Sequence, residues 1–506
     1  MDFVSARRAG PELIGPKTPL VRYRNALTTP LETTTPAELP RRLSLLQGTA
    51  LNMIDMVGIG PFVVLPLVIK ALGGPGFLWA WGLGAVVSLI DAFVWAELGA
   101  AFPRAGGSYN FLNIAYGPAR WGRLLSFLYV WQTLIQAPLV LASGAIGFAQ
   151  YVSYLTPLDE GQRRMVSGGI VLVIIALLYR KIDSIGKIGL VMWGAVLLTL
   201  GWIIIGGLSN ARVPLAQTLA TAGSVSGNLL AAGLGSASVK TIYCYLGYYN
   251  VCHLGGEIKQ PARNIPASMF ISIAGIATLY LLLNLSVVSV VPLAVAERSE
   301  FIVSTFVETL YGPGAARFAT VLVLLVAFSS LFAVLLGYSR VPYAAAADGQ
   351  FFAPFARLHP TRQFPYVSLL FLGGLGFVFS LLFRLGDVIT AILAMRIVVQ
   401  FIGQAVGLLL LRRAGPRSVA SGPVANNSPN GALAVRFPFR MPLYPVPVLL
   451  AIGVWAFIFF STGWAFMLSG LTVIGLGIVA FLISTSVRRQ WPFAPRIPAA
   501  SEDVIR

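Results

Sequence analysis

Apolar runs of the length needed to cross roughly 30 Å of hydrocarbon, at 1.5 Å per residue, recur from about residue 45 to about residue 487 with short polar stretches between them. The pattern predicts twelve helical spans, at about 45–70, 76–101, 121–151, 166–180, 184–208, 229–257, 267–291, 315–341, 365–383, 386–411, 444–461 and 463–487. Residues 1–44 are polar, Pro-rich and Arg-rich, which predicts a mobile tail rather than a cleavable signal, so the first apolar span is expected to serve as the membrane signal. Residues 412–443, rich in Pro, Gly, Ser and Asn, form the longest internal loop, and neither segment has the composition for a core of its own. The expected organisation is therefore a tail over 1–44, a membrane core over 45–411, the loop 412–443, two further helices within 444–487 and a second tail over 488–506.

Composition strengthens this picture: 57% of the residues are hydrophobic and 11% charged, against about a quarter charged in a soluble domain. The mean hydropathy is +0.80. These values predict an all-α membrane protein whose solvent is the lipid bilayer. The net charge of +18 would suggest nucleic acid in a soluble chain. Here the basic residues sit in loops between apolar spans, which excludes that reading. Counting Lys and Arg by loop gives 27 on the side of the N-terminus and 7 on the other, with Lys240 and Arg396 inside spans. Cytoplasmic loops retain positive charge, so both termini are expected in the cytoplasm of a multi-pass protein of the cell membrane. The sequence shows no metal-ligand cluster, no GxSxG elbow and no phosphate loop, and no cofactor is implied, which argues against an enzyme. Cys244 and Cys252, eight residues apart in one apolar span, make neither a disulfide framework nor a four-ligand metal site.

Two spans read poorly as continuous helices. The first carries Asp55, Met56, Val57, Gly58, Ile59, Gly60 and Pro61 in mid-membrane. Pro61 removes a backbone donor, and each glycine costs about 1 kcal/mol relative to alanine, so unwinding there is cheap. The sixth span carries Tyr243, Leu246, Gly247, Tyr248, Tyr249 and Asn250. Interruptions five spans apart, at corresponding positions of two halves, point to a midplane site where half-helix N-termini attract an anion and freed carbonyls a cation.

Four stretches carry a family likeness: Gly58-Ile59-Gly60-Pro61-Phe62 in span 1, residues 96–109 from Ala96 through Phe102, Pro103, Arg104, Gly106 and Gly107 to Tyr109, residues 256–266 with Glu257, Lys259, Pro261, Arg263 and Asn264, and residues 339–349 with Arg340, Tyr343 and Asp348, followed by His359-Pro360. In this order and spacing the chain resembles the amino acid–polyamine–organocation family of secondary transporters. That resemblance, over about residues 45–411, implies a LeuT-type 5+5 inverted repeat, about 45–208 and 229–411, plus two C-terminal helices. It also implies amino acid transport by alternating access, as symport or antiport. The small-molecule substrate would put its carboxylate on the amides around Gly58, Ile59 and Gly60, and its amine on carbonyls of Met56, Tyr243 and Leu246. Tyr243 would be an aromatic gate, with Val57, Gly247, Tyr248 and Tyr249 beside it. Ser329 and Ser330 could give hydroxyl oxygens to a sodium ion alongside span 1 carbonyls, and Asp55 could carry a coupling proton; sodium, a proton and exchange without an ion all stay open.

Two departures from the family pattern matter. Many amino acid transporters of the family have a small hydroxyl residue where this chain has Ile59, which removes one carboxylate hydrogen bond and keeps a polyamine or other organic cation open as substrate, with Asp55 and Asp91 as its partners. No lysine lies between Leu190 and Leu208, where proton-coupled relatives can place one. Charged side chains at the bilayer centre cost at least about 2.5–3.5 kcal/mol, so Asp55, Asp91, Glu97, Lys240 and Arg396 are functional candidates. Of these, Glu97 is expected to clasp a basic residue such as Arg104, Asp91 to pair with Arg396, and Lys240 to snorkel. A helical histidine such as His253 reads as a packing residue.

Overall fold

The computed structural model describes residues 39–72, 76–118, 120–180, 182–223, 227–383, 385–414, 419–420, 432–433, 436–487 and 491–493. Its helices are α1 (Leu45–Val57), α2 (Gly60–Leu72), α3 (Phe77–Ala101), α4 (Ser108–Ala115), α5 (Trp121–Leu155), α6 (Glu160–Leu178), α7 (Ile182–Ser209), α8 (Leu215–Gly223), α9 (Gly227–Tyr245) and α10 (Asn250–His253). They continue with α11 (Pro261–Val290), α12 (Leu293–Arg298), α13 (Ile302–Tyr338), α14 (Arg340–Ala347), α15 (Tyr366–Leu382), α16 (Leu385–Arg396), α17 (Gly403–Ala414), α18 (Val446–Ser461) and α19 (Trp464–Val487). A π-helical turn over Ile397–Ile402 joins α16 to α17. Among the described residues, strand is limited to Val419–Ala420 paired antiparallel with Ala432–Leu433, inside the predicted loop.

Eight helical stretches among the described residues are long and apolar enough to cross a membrane, and a ninth is the pair α1 and α2, bent by 43°. Tyr366–Leu382 and Val446–Ser461 are apolar but shorter. The count by length therefore falls below the twelve predicted from hydropathy: two of the predicted spans are these short helices, and the predicted span 229–257 is interrupted, being α9, a turn and α10. The predicted span 166–180 begins earlier, at Glu160, because Asp159 and Gln162 form a capping box that satisfies the first free amides.

The outer surface confirms a multi-pass membrane protein. On α7, Val191, Leu198 and Ile205 recur every seven residues and are 75%, 77% and 67% exposed, a stripe that only lipid can cover favourably. Inside, α1 packs on α7, α11 and α13, while α2 packs on α9 and α3 on α9 and α11.

The end of the predicted mobile tail is pinned. Leu43 is buried, the Arg42 and Leu43 amides donate to the Glu257 carbonyl at 2.8 and 2.9 Å, and the Lys259 amide donates to the Leu43 carbonyl at 2.8 Å. Ser44 and Gln47 then cap α1 reciprocally. The rest of that tail, residues 1–38, lies outside the described residues, as do residues 494–506 and most of 415–435.

Candidate binding site between two helix breaks

The first break is local in origin. α1 ends at Val57 because Gly58 adopts φ +24°, and α2 restarts at Gly60 ahead of Pro61, which has no amide hydrogen to leave unbonded. A Cβ at Gly58 would sit 2.7 Å from Ser330 Oγ. The second break follows Tyr245, where Gly247 takes φ +121° and the helix resumes at Asn250. A Cβ on Gly247 would lie 2.9 Å from both Asp55 Cγ and the Met56 nitrogen, so the two breaks touch through a glycine that admits no side chain. Gly60 repeats the device from the other side, with its missing Cβ 3.0 Å from Cys244 Sγ.

Polar side chains fasten this junction. Tyr280 Oη lies 2.7 Å from the Met56 carbonyl and 3.1 Å from the Cys244 carbonyl, tying α11 to the end of α1 and to α9 just ahead of its break. Asn52 Oδ1 accepts from the Val251 amide at 2.9 Å, and Asn250 Nδ2 donates to the Ala333 carbonyl at 3.1 Å, which holds α10 between α1 and α13. Tyr243 and Ser143 share a hydrogen bond of 2.8 Å across to α5. Backbone polar groups freed at this depth need such partners or a ligand.

Between the breaks lies a cavity of about 50 Å³. Of the residues singled out in the sequence, Asp55, Met56, Gly58, Ile59, Gly60, Tyr243, Leu246, Gly247, Tyr249 and Ser330 line it. Val57 and Tyr248 are buried outside that lining, Tyr248 with its hydroxyl on the Asp91 carboxylate. Ser329 bonds the Leu325 carbonyl of its own helix at 2.8 Å, while Ser330 Oγ is 3.3 Å from the Asp55 carbonyl. The Met56 carbonyl, expected to receive an amine, already accepts from Tyr280.

Two charge pairings differ from expectation. Glu97 takes Arg412 at 2.5 Å and the Met441 amide at 2.9 Å, drawing the chain after the long loop onto the end of α3. Arg104 instead reaches Asp348 at 3.0 Å, where Tyr109 also donates at 3.1 Å. Asp91 is satisfied by Tyr248 and by Trp455 Nε1 at 3.0 Å, without Arg396. Arg396 lines the cavity, with its guanidinium carbon 5.0 Å from the Tyr249 ring centre and 5.7 Å from that of Tyr338. Lys240 Nζ is held by Ser236 of its own helix. His253 is buried and packs as a side chain of the core, sharing a 3.1 Å hydrogen bond with Tyr129.

Sequence reasoning missed Tyr280, Tyr338 and the placement of Arg396. Tyr280 and Tyr338 sit in ordinary apolar helices with no local signal, and Arg396 was visible only as a charge in the wrong solvent. The three sequence stretches beyond the first break interlock: 96–109 meets 339–349 through Arg104 and Asp348, and 256–266 meets 339–349 through Glu257 and Arg340, paired at 2.8 Å and each 1% exposed.

Residues 43–483 match a family model described as amino acid permease. The chain is similar to the human "Cationic amino acid transporter 4", 27% identical over 412 residues, which are 77% of this chain and 63% of that protein. It thus spans less than two thirds of that relative's length. It is also similar to the "Serine/threonine exchanger SteT" of Bacillus subtilis, 24% identical over 84% of this chain and 91% of that protein. A further relative is the "High-affinity methionine permease" of Saccharomyces cerevisiae, 24% identical over 61% of this chain and 55% of that one.

Proposed function

The chain belongs to the amino acid permease family, and from that premise we propose that it moves amino acids across a cell membrane by alternating access, binding them between the two helix breaks. The observation that carries this reading is the cavity lined by Gly58, Gly60 and Gly247, where two interrupted helices meet; the N-terminal end of a helix favours an anion and the C-terminal end a cation. The substrate carboxylate sits at the amides that open α2, where the helix dipole favours an anion. Its ammonium is held by the carbonyls of Met56, Tyr243 and Leu246 and by the Asp55 carboxylate; the Met56 oxygen keeps one lone pair beyond the one that accepts from Tyr280. Tyr243 closes over the ligand.

In this reading the core is twelve membrane helices, two inverted five-helix repeats at about 45–208 and 229–411 followed by α18 and α19, with both termini cytoplasmic. Rocking of the broken-helix bundle opens the cavity to each side in turn. A proton, a sodium ion or exchange of one substrate for another drives it. Ser330 together with the Asp55 carbonyl offers oxygens for sodium, and the Asp55 carboxylate offers a proton acceptor.

A polyamine or other organic cation is the second reading, favoured by one observation: the Asp55 carboxylate faces the cavity and, among the described residues, accepts no hydrogen bond. Radiolabelled uptake into proteoliposomes, competed by leucine, arginine and putrescine, separates the two. Competition by an amino acid is expected. Competition by putrescine alone removes the amino acid reading.

A further inference from the structure

Among the described residues that line the cavity, Asp55 and Arg396 are the charged ones, and they have opposite signs. Arg396 ends α16 immediately before the π-helical turn, a widened geometry that recurs at functional sites. The side chain is 1% exposed, its Nε donates to Gln400 Oε1 at 2.8 Å, and its Nη2 is buried with no hydrogen-bond partner. Asp55 and Arg396 interact electrostatically but form no ion pair with each other. Among the described residues neither charge has an ion pair, although Arg396 is partly satisfied by Gln400 and by the Tyr249 and Tyr338 rings, and such an arrangement is expensive in a membrane interior unless a ligand completes it.

We propose that Asp55 and Arg396 form a charge filter that restricts this site to amino acids of zero net charge. The proposal rests on the reading that the cavity holds the transported amino acid. With one acid and one base the lining is electrically balanced, so a zwitterion enters and leaves the balance unchanged. Both charges line the same small cavity, so a ligand held there lies close to each of them. An additional ammonium on the ligand therefore meets the Arg396 guanidinium, and an additional carboxylate meets Asp55. Discrimination comes from these repulsive contacts as much as from attractive ones. Removing one charge should invert the preference in a predictable sense. Asp55→Asn gives the lining a net positive charge that an anionic amino acid balances, and Arg396→Gln gives it a net negative charge that a cationic one balances.

The full chain in proteoliposomes and in detergent tests this, with alanine, serine and leucine as neutral probes, aspartate and glutamate as anionic ones, and lysine, arginine and putrescine as cationic ones. Competition for uptake and thermal shift are read for wild type, both single variants and the double variant. The wild type is expected to prefer the neutral class by tenfold or more. Asp55→Asn should raise the anionic class relative to the neutral class at least tenfold, Arg396→Gln should do the same for the cationic class, and the double variant should return the order to neutral first. The Asp55 side chain holds no hydrogen bond among the described residues, so Asp55→Asn carries the test alone if Arg396→Gln does not fold. An unchanged ranking in the variants, or a wild type that prefers a charged class, overturns the filter while leaving amino acid transport intact. A wild type that responds to none of the amino acids overturns the transport reading, and the filter with it.

Discussion

Gly247→Ala is expected to reduce uptake on the order of a hundredfold while the protein still inserts and purifies like wild type. Gly247 has φ +121°, a backbone conformation that L side chains rarely adopt, and strain of this kind costs about 1–3 kcal/mol. The added methyl would also lie 2.9 Å from Asp55 Cγ and the Met56 nitrogen, a contact that must push the two breaks apart for about 1–3 kcal/mol more. Each 1.36 kcal/mol taken from the productive geometry is tenfold in rate. Gly60→Val acts from the opposite side, because its first added carbon already lies 3.0 Å from Cys244 Sγ and its methyl groups would crowd the amides that open α2. Gly453→Ala on α18, where a Cβ meets nothing within 4 Å, is the control and should transport normally. Initial uptake rates normalised to reconstituted protein measure the effect; wild-type rates in Gly247→Ala would remove the junction from the transport path.

Arg340→Met should cost about 3–5 kcal/mol of stability, the usual penalty for leaving one partner of a buried ion pair uncompensated. Arg340 donates through Nε to Glu257 at 2.8 Å, and its Nη1 bonds the Leu336 carbonyl at 3.0 Å and Ser339 Oγ at 2.9 Å. Glu257 in turn holds the start of the described chain, since its carbonyl accepts from Arg42 and Leu43. The variant therefore loosens three segments that are distant in sequence, and its melting temperature in detergent should fall well below that of wild type. Glu257→Leu combined with Arg340→Met should recover part of the loss, because no lone charge then remains buried. A double variant no more stable than Arg340→Met would show that the pair is not the source of the effect.

The helices were legible because their signals are local. Apolar length, the glycines at 58, 60 and 247, and Pro61 each act within a few residues of themselves, so both breaks could be located from the chain alone. The polar pairings were not legible, since Tyr280 meets Met56 across 224 residues and Arg412 meets Glu97 across 315. Proximity in sequence suggested Arg104 for Glu97, but the folded chain brings the end of α17 there instead. Arg396 was flagged by the cost of burying it, yet only the π-turn and the packing of Tyr249 and Tyr338 decide that it reaches the cavity. The tail ending at Leu43 looked free because nothing in its composition encodes a partner, whereas its backbone amides find the carbonyl of Glu257.

The most direct test of the account is an electron-cryomicroscopy structure of the full chain with the amino acid that competes best for uptake, at saturating concentration. Density for that molecule is expected between Gly58, Gly60 and Gly247, with its carboxylate at the start of α2 and α9 still interrupted after Tyr245. Ligand density elsewhere in the protein, or α1–α2 and α9–α10 running as unbroken helices with no ligand between them, would contradict it.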